Sequence, residues 1–141
     1  MTVTIYRGFM FSTKRMIEFG MCDIGGVLFF AKIFELAHSV YEEFIKNNLE
    51  TNYFENEKFA VPLVNAGADY HSPIKLHSNL IAQLQVAKIG TTSFQLSIKF
   101  LDEFNKPKAT VNTTHVFLEK SNMLKAKIPI DVLSVLQKHL A

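Results

Sequence analysis

The chain has 141 residues, 48% of them hydrophobic, which is enough for one domain with a sizeable core. Its net charge of +2 comes with no run of Lys or Arg and no basic stripe, which excludes the electrostatic footprint of a nucleic-acid binder. The single cysteine, Cys22, excludes an internal disulfide and points to the reducing cytoplasm. The first fifteen residues hold no apolar signal region, and the most apolar stretch, 24–37, is too short and too interrupted by Lys32 and Glu35 to span a membrane.

In chain order, residues 14–19 read as a strand and 20–26, with Gly25 and Gly26 adjacent, as a turn. From 27 to about 48, Val27, Phe30, Ala31, Phe34, Ala37, Val40, Tyr41, Phe44 and Ile45 recur in steps of three and four, the spacing of a helix. Its first turns are apolar nearly all round and are expected to be buried on most sides, with the Phe29, Phe30, Phe34 and Phe44 stripe in the core. Glu42, Glu43, Lys46 and Asn47 mark a second half facing solvent. A polar segment, 48–58, precedes four strand-like runs at 59–70, 78–89, 92–103 and 108–119. Leu80, Ala82, Leu84 and Val86 share one face of their run, as do Phe94, Leu96, Ile98 and Phe100 of theirs. Turn residues join these runs, so the sheet is expected to be antiparallel. An amphipathic run at 130–140 follows Pro129, with Asp131 near its start, and reads as a short helix. One long apolar helix against one antiparallel sheet makes a two-layer α+β domain over 1–141. Its sheet edges and helix offer surface to a partner, so at least a dimer is expected.

The chemical signal lies between residues 17 and 35. Asp23 is a carboxylate in a Gly-rich turn between a strand and an apolar helix, whose first amide groups and dipole can stabilise an oxyanion. A carboxylate beside such donors suits acyl transfer, as nucleophile or as base for water. The plainer reading makes Asp23 a turn or cap residue. Among the other candidates, Cys22 has no neighbouring His to act as its base and reads as packing. His38 is expected to face a partner, His71 to line a pocket beside Tyr70, and His77 and His115 to lie on the surface. No two His residues show a metal-ligand spacing, so no metal is expected.

Several steps fall in a telling order: Asp23 and Gly26 as Asp-x-x-Gly, the apolar pair Val27 and Leu28, then Phe30, then Phe34 before Glu35. Tyr70 and Pro73 follow as Tyr-x-x-Pro, Gly90 and Ser93 as Gly-x-x-Ser, and Ile128-Pro129 before the last helix. From about Lys14 to Leu140 this series resembles the 4-hydroxybenzoyl-CoA thioesterase family of hot-dog proteins. The resemblance implies a hot-dog fold: one long buried helix wrapped by a curved antiparallel sheet of about five strands, plus a short C-terminal helix. It also implies hydrolysis of an acyl-CoA or aroyl-CoA thioester to a carboxylate and free CoA. Coenzyme A is then part of the substrate, and no separate cofactor is needed. The family's catalytic Asp falls on Asp23, and the backbone N–H that polarises the thioester carbonyl falls at Phe30. Substrate contacts fall at Gly26, Tyr70, His71, Lys88, Thr91, Thr92 and Ser93. Sites in this family lie at dimer interfaces, so the resemblance implies a homo-oligomer, a dimer of dimers, with neither nucleic acid nor membrane as partner.

The chain departs from the pattern at Phe30, where many relatives carry Tyr or His. It departs again at Lys75, Leu76, His77 and Ser78, where a Gly-Asp pair is common, and in the 88–93 hairpin, where Lys88 is the one charge. In one branch of hot-dog thioesterases a helix carboxylate does the chemistry, which makes Glu35 a second catalytic candidate; a structural ion pair is its plainer role. Two other functions fit the same residues: a thioesterase for acyl-carrier-protein thioesters, and a non-catalytic acyl-CoA-binding module. A hot-dog hydratase needs His five residues after the Asp, and this chain has Leu28 there.

Overall fold

Alternating side chains build the sheet and the apolar face of one helix covers it. In the computed structural model, which describes residues 8–49 and 57–141, the helix α1 spans Lys32–Asn48. The strands are β1 (Phe11–Met16), β2 (Phe59–Ala60), β3 (Leu63–Tyr70), β4 (Asn79–Ile89), β5 (Ser93–Leu101), β6 (Pro107–Val116) and β7 (Leu118–Glu119). A second helix, α2, covers Ile130–Lys138. Five strands form one antiparallel sheet in the order β1-β4-β5-β6-β3, and β2 pairs with β7. The faces predicted for β4 and β5 are the buried ones: Leu80, Ala82, Leu84, Val86, Phe94, Leu96, Ile98 and Phe100 all point into the core.

From α1, Ile33, Leu36, Ala37, Val40, Tyr41, Phe44 and Ile45 pack onto this face, a single stripe in three- and four-residue steps. Arg15 of β1 reaches across to Ser39 Oγ (3.2 Å) and to Glu43 (3.4 Å), tying the sheet's edge to the helix. The predicted α+β architecture therefore holds, and Asp131 sits in the first turn of α2 as expected. Among the described residues no helix is long and apolar enough to cross a membrane.

Three boundaries differ from the sequence reading. The first strand is 11–16 rather than 14–19, because residues 19–21 turn in a short 3-10 step. The run 59–70 breaks at Pro62, and its partner run breaks opposite, so β2–β7 continues β3–β6 after a bend; the Pro62 carbonyl accepts the Val116 amide at the corner (3.1 Å). The long helix starts at Lys32 rather than Val27. Val27 and Leu28 are instead drawn into pairing with Lys75 and Cys22, which leaves Phe29 and Phe30 in a turn ahead of the helix. Of the predicted core stripe only Phe44 is fully buried; Phe29, Phe30 and Phe34 are exposed by 42%, 65% and 36%. The polar segment at 48–58 falls mostly outside the described residues.

Candidate active site

The Gly-rich turn is a tight hairpin. The Asp23 amide donates to the Val27 carbonyl (2.8 Å), the Gly26 amide to the Asp23 carbonyl (3.0 Å), and Cys22 bridges Leu28 at the base. Gly26 has φ +79°, a left-handed conformation that glycine adopts without strain. Asp23 closes the turn with its side chain: Oδ1 accepts the amides of Gly25 (2.8 Å) and Val27 (3.4 Å). The turn role raised for Asp23 is therefore real, and it occupies one carboxylate oxygen. Among the described residues no donor meets Oδ2, and the side chain is exposed.

The Tyr-x-x-Pro step holds this hairpin in place. After Tyr70 and Pro73, the Ile74 carbonyl accepts the Leu28 amide (2.7 Å) and the Gly26 carbonyl accepts the Leu76 amide (2.9 Å). The Tyr70 hydroxyl, at the end of β3, donates to the Phe30 carbonyl. Partial burial holds the Tyr70 phenol above its ordinary pKa, so it keeps the proton it donates. Phe30 is thus fixed from the carbonyl side. On the other side, its amide N–H and that of Ala31 meet no acceptor among the described residues. No side chain caps α1, so these two donors sit unused ahead of its positive dipole end.

A cavity of about 450 Å³ opens at this place, lined by Val27, Leu28, Phe30, Tyr70, His71 and Pro73 among others. His71 shares a 3.0 Å hydrogen bond with Thr110 Oγ1. Asp23 does not line the cavity; it stands on the neighbouring hairpin. Asp23, Gly26, Phe30, Tyr70 and His71 are therefore brought to one end of the sheet.

Lys88, Thr91, Thr92 and Ser93 are not. The registers Tyr70↔Ala109 and Leu63↔His115, with His115↔Phe94 and Phe94↔Ile89, put the 88–93 hairpin at the opposite end of the sheet from Tyr70. There the carbonyls of Thr91 and Thr92 accept the amides of Ile128 (3.0 Å) and Phe117 (2.8 Å), a structural duty. Glu35 is mostly exposed and pairs with Lys32 at 3.2 Å, so its carboxylate is not the buried one expected. Cys22 packs beside the hairpin, its thiol 3.7 Å from the Glu18 carbonyl. Among the described residues no group of three His, Cys, Asp or Glu could hold a metal ion.

His115 is the largest correction. It is 2% exposed, not a surface residue, and lies on the inner face of β6. The rings of Tyr41 and Phe94 stack on either side of it, at 4.5 and 5.0 Å between centroids. Its signal was present in the sequence: Ala109, Val111 and Thr113 alternate inward, and period two carries the next position, 115, to the same face.

Residues 17–136 match the model of the thioesterase-like superfamily. This chain belongs to that superfamily. It is a hot-dog thioester hydrolase. A 1,4-dihydroxy-2-naphthoyl-CoA hydrolase of Synechococcus elongatus is 30% identical over 119 residues, covering 82% of this chain and 87% of the relative. A 1,4-dihydroxy-2-naphthoyl-CoA thioesterase from Synechocystis superposes with a TM-score of 0.83 at 22% identity, over 91% of this chain and 96% of that one. A Staphylococcus aureus protein crystallised with CoA superposes with a TM-score of 0.85 at 11% identity, over 99% and 90%. At those identities the two superpositions speak for the fold alone.

Proposed function

We propose that this hydrolase cleaves a CoA thioester of an acyl or aroyl group, with Asp23 as its carboxylate and the Phe30 amide as its oxyanion donor. The observation that carries the reading is the pair of unused amides at Phe30 and Ala31, held by Tyr70 beside the Asp23 hairpin. Hydrogen-bond donors fixed where negative charge develops stabilise a tetrahedral intermediate without reorganising. Asp23 Oδ2, the oxygen left free by the turn, attacks the thioester carbonyl or takes a proton from the attacking water. On the first path the C–S bond breaks to leave an acyl–Asp23 anhydride, which water hydrolyses; on the second the water's oxygen displaces CoA directly. Either way CoA leaves as the thiolate and takes a proton, and the acid is released as its carboxylate. Relatives named 1,4-dihydroxy-2-naphthoyl-CoA hydrolase favour an aromatic acyl group.

The separation of the 88–93 hairpin from Asp23 supports a two-chain site. Among the described residues β3 is an edge strand with no strand on its outer side. Two copies paired antiparallel along it would turn the hairpin end of one toward the Tyr70 end of the other, so Lys88, Thr91, Thr92 and Ser93 of the second copy would reach the first copy's CoA. A dimer of such dimers, working in the reducing cytoplasm, is the assembly we infer. Thiol release from a panel of CoA thioesters, with wild type and Asp23→Asn side by side, tests the reading. The Asn side-chain oxygen can still accept the Gly25 and Val27 amides, so the variant should fold, while turnover should drop at least about a hundredfold. Wild-type turnover in the variant would remove Asp23 from the mechanism.

A further inference from the structure

Two consecutive peptide groups lead into α1, and each presents an N–H that meets no acceptor among the described residues: the Phe29–Phe30 peptide offers the Phe30 amide, and the Phe30–Ala31 peptide the Ala31 amide. In a trans peptide the carbonyl and the N–H point in opposite directions, so whatever holds the carbonyl aims the N–H. The two groups are held differently. The Phe29 carbonyl accepts the Lys32 amide at 2.9 Å, a turn the chain makes with itself. The Phe30 carbonyl has no such partner in the backbone. In a regular helix it would accept the Phe34 amide, but that amide goes to the Ala31 carbonyl instead, at 3.3 Å. The Phe30 carbonyl is left outside the helical ladder, and its donor is the Tyr70 hydroxyl, 40 residues along the chain.

We propose that Tyr70 is a positioning residue for the hydrolysis: by holding the Phe30 carbonyl out of the helical ladder it aims the Ala31 N–H as a second donor to the oxyanion, beside the Phe30 amide. The inference rests on the thioesterase reading above and deepens it. Both amides keep their hydrogens throughout; they only share the charge that gathers on the carbonyl oxygen as the tetrahedral intermediate forms, and release it as the C–S bond breaks. A hydroxyl bonded to one end of a peptide group polarises the other, so the Tyr70 bond also makes the Ala31 N–H a stronger donor. Without that hydroxyl the Phe30 carbonyl can swing into the ladder and take the Phe34 amide, which turns the whole peptide plane and the Ala31 N–H with it. Tyr70 stands at the end of β3, half exposed and outside the core, on the wall of the cavity that Phe30 also lines. Its hydroxyl is therefore spent on the peptide that leads into the helix rather than on core packing.

The test is a double-mutant cycle between Tyr70 and Ala31, read as kcat and KM on a CoA thioester that wild type cleaves. Ala31 is exposed, has φ −73°, close to the angle proline fixes, and its N–H bonds nothing in the chain. Ala31→Pro therefore deletes the donor without breaking a protein hydrogen bond, and kcat should fall at least about a hundredfold, the scale of losing one oxyanion donor. Tyr70→Phe removes only the hydroxyl. In the wild-type background it should lower kcat about tenfold with KM within about twofold, because the interaction lost is made in the transition state. In the Ala31→Pro background the same change should cost less than about twofold, because the donor it aims is already gone. Equal losses in both backgrounds, or an unchanged kcat in either single variant, overturn the proposal and leave Asp23 and the Phe30 amide standing. If Ala31→Pro does not fold, the carbonyl stretch of a thioester bound to Asp23→Asn decides by difference Raman spectroscopy. It should lie below its frequency in water and move back toward it when Tyr70→Phe is added; a band that stays in place overturns the role of Tyr70. A wild type that releases thiol from no CoA thioester removes both readings.

Discussion

Moving His115 from the unfolded chain to its seat between Tyr41 and Phe94 strips water from both ring nitrogens, and Thr113 replaces it on only one. Burial, helped by the positive charge His38 can carry, pushes the pKa of His115 from its ordinary 6.5 down to about 4. Between those values the unfolded chain binds a proton that the folded chain refuses. The contribution of His115 is therefore fully present above pH 6.5 and is lost as the pH falls toward 4, an effect of the order of 3 kcal/mol. Urea unfolding at pH 7 and pH 4.5 should show wild type losing markedly more stability than His115→Phe over the same interval. Equal losses would mean that the imidazole protonates as easily inside as outside. A neutral imidazole buried among rings thus makes the fold acid-sensitive.

At the scale of elements, a 22–28 hairpin with Asp23 in its turn stands where the start of the long helix was expected, and the chain runs from it into Phe30 and Ala31. Its shape depends on Gly26 at φ +79°, where a Cβ would meet nothing within 4 Å. Gly26→Ala therefore tests backbone conformation without a clash. It should lower the melting temperature by a few degrees, for a cost of about 1 kcal/mol, and reduce turnover by shifting Asp23. An unchanged melt would mean that the hairpin tolerates another backbone path. Much of this was legible in the sequence. The alternation of Leu80 to Val86 and of Phe94 to Phe100 marked the inner face of β4 and β5, and the Asp-x-x-Gly and Tyr-x-x-Pro steps marked the two segments that zip together. The helix start was not legible. Val27 to Ala31 carry helical periodicity, but their backbone partners, Ile74 and Lys75, lie far along the chain and leave no local trace. Nor could local pattern show that Thr91 and Tyr70 end up at opposite ends of the sheet, which follows from strand order and register.

At the scale of the whole molecule, the exposed apolar side chains bear on the proposed assembly. Leu63 and Val64 on β3, with Phe30 and Phe34 ahead of and on α1, are apolar and uncovered in one chain. The proposed pairing of two copies along β3 would cover such a patch. Val64, at a register irregularity and 57% exposed, can be replaced without touching the core. Val64→Lys should shift the oligomer toward monomer in light scattering and lower turnover in the same proportion. A monomeric variant with full activity would show that one chain suffices.

Strand order also fixes the order in which this fold can assemble. β4, β5 and β6 are neighbours in sequence as well as in the sheet, so they can zip as a meander at small loop-closure cost. β1 and β3 join from the flanks, across long stretches of chain. Yet it is the segments attached to those two strands, the Asp23 hairpin and the Tyr70 end, that make the proposed site. The centre of the sheet is thus expected to form first and persist longest, and the proposed catalytic apparatus hangs on margins expected to form last and fray first.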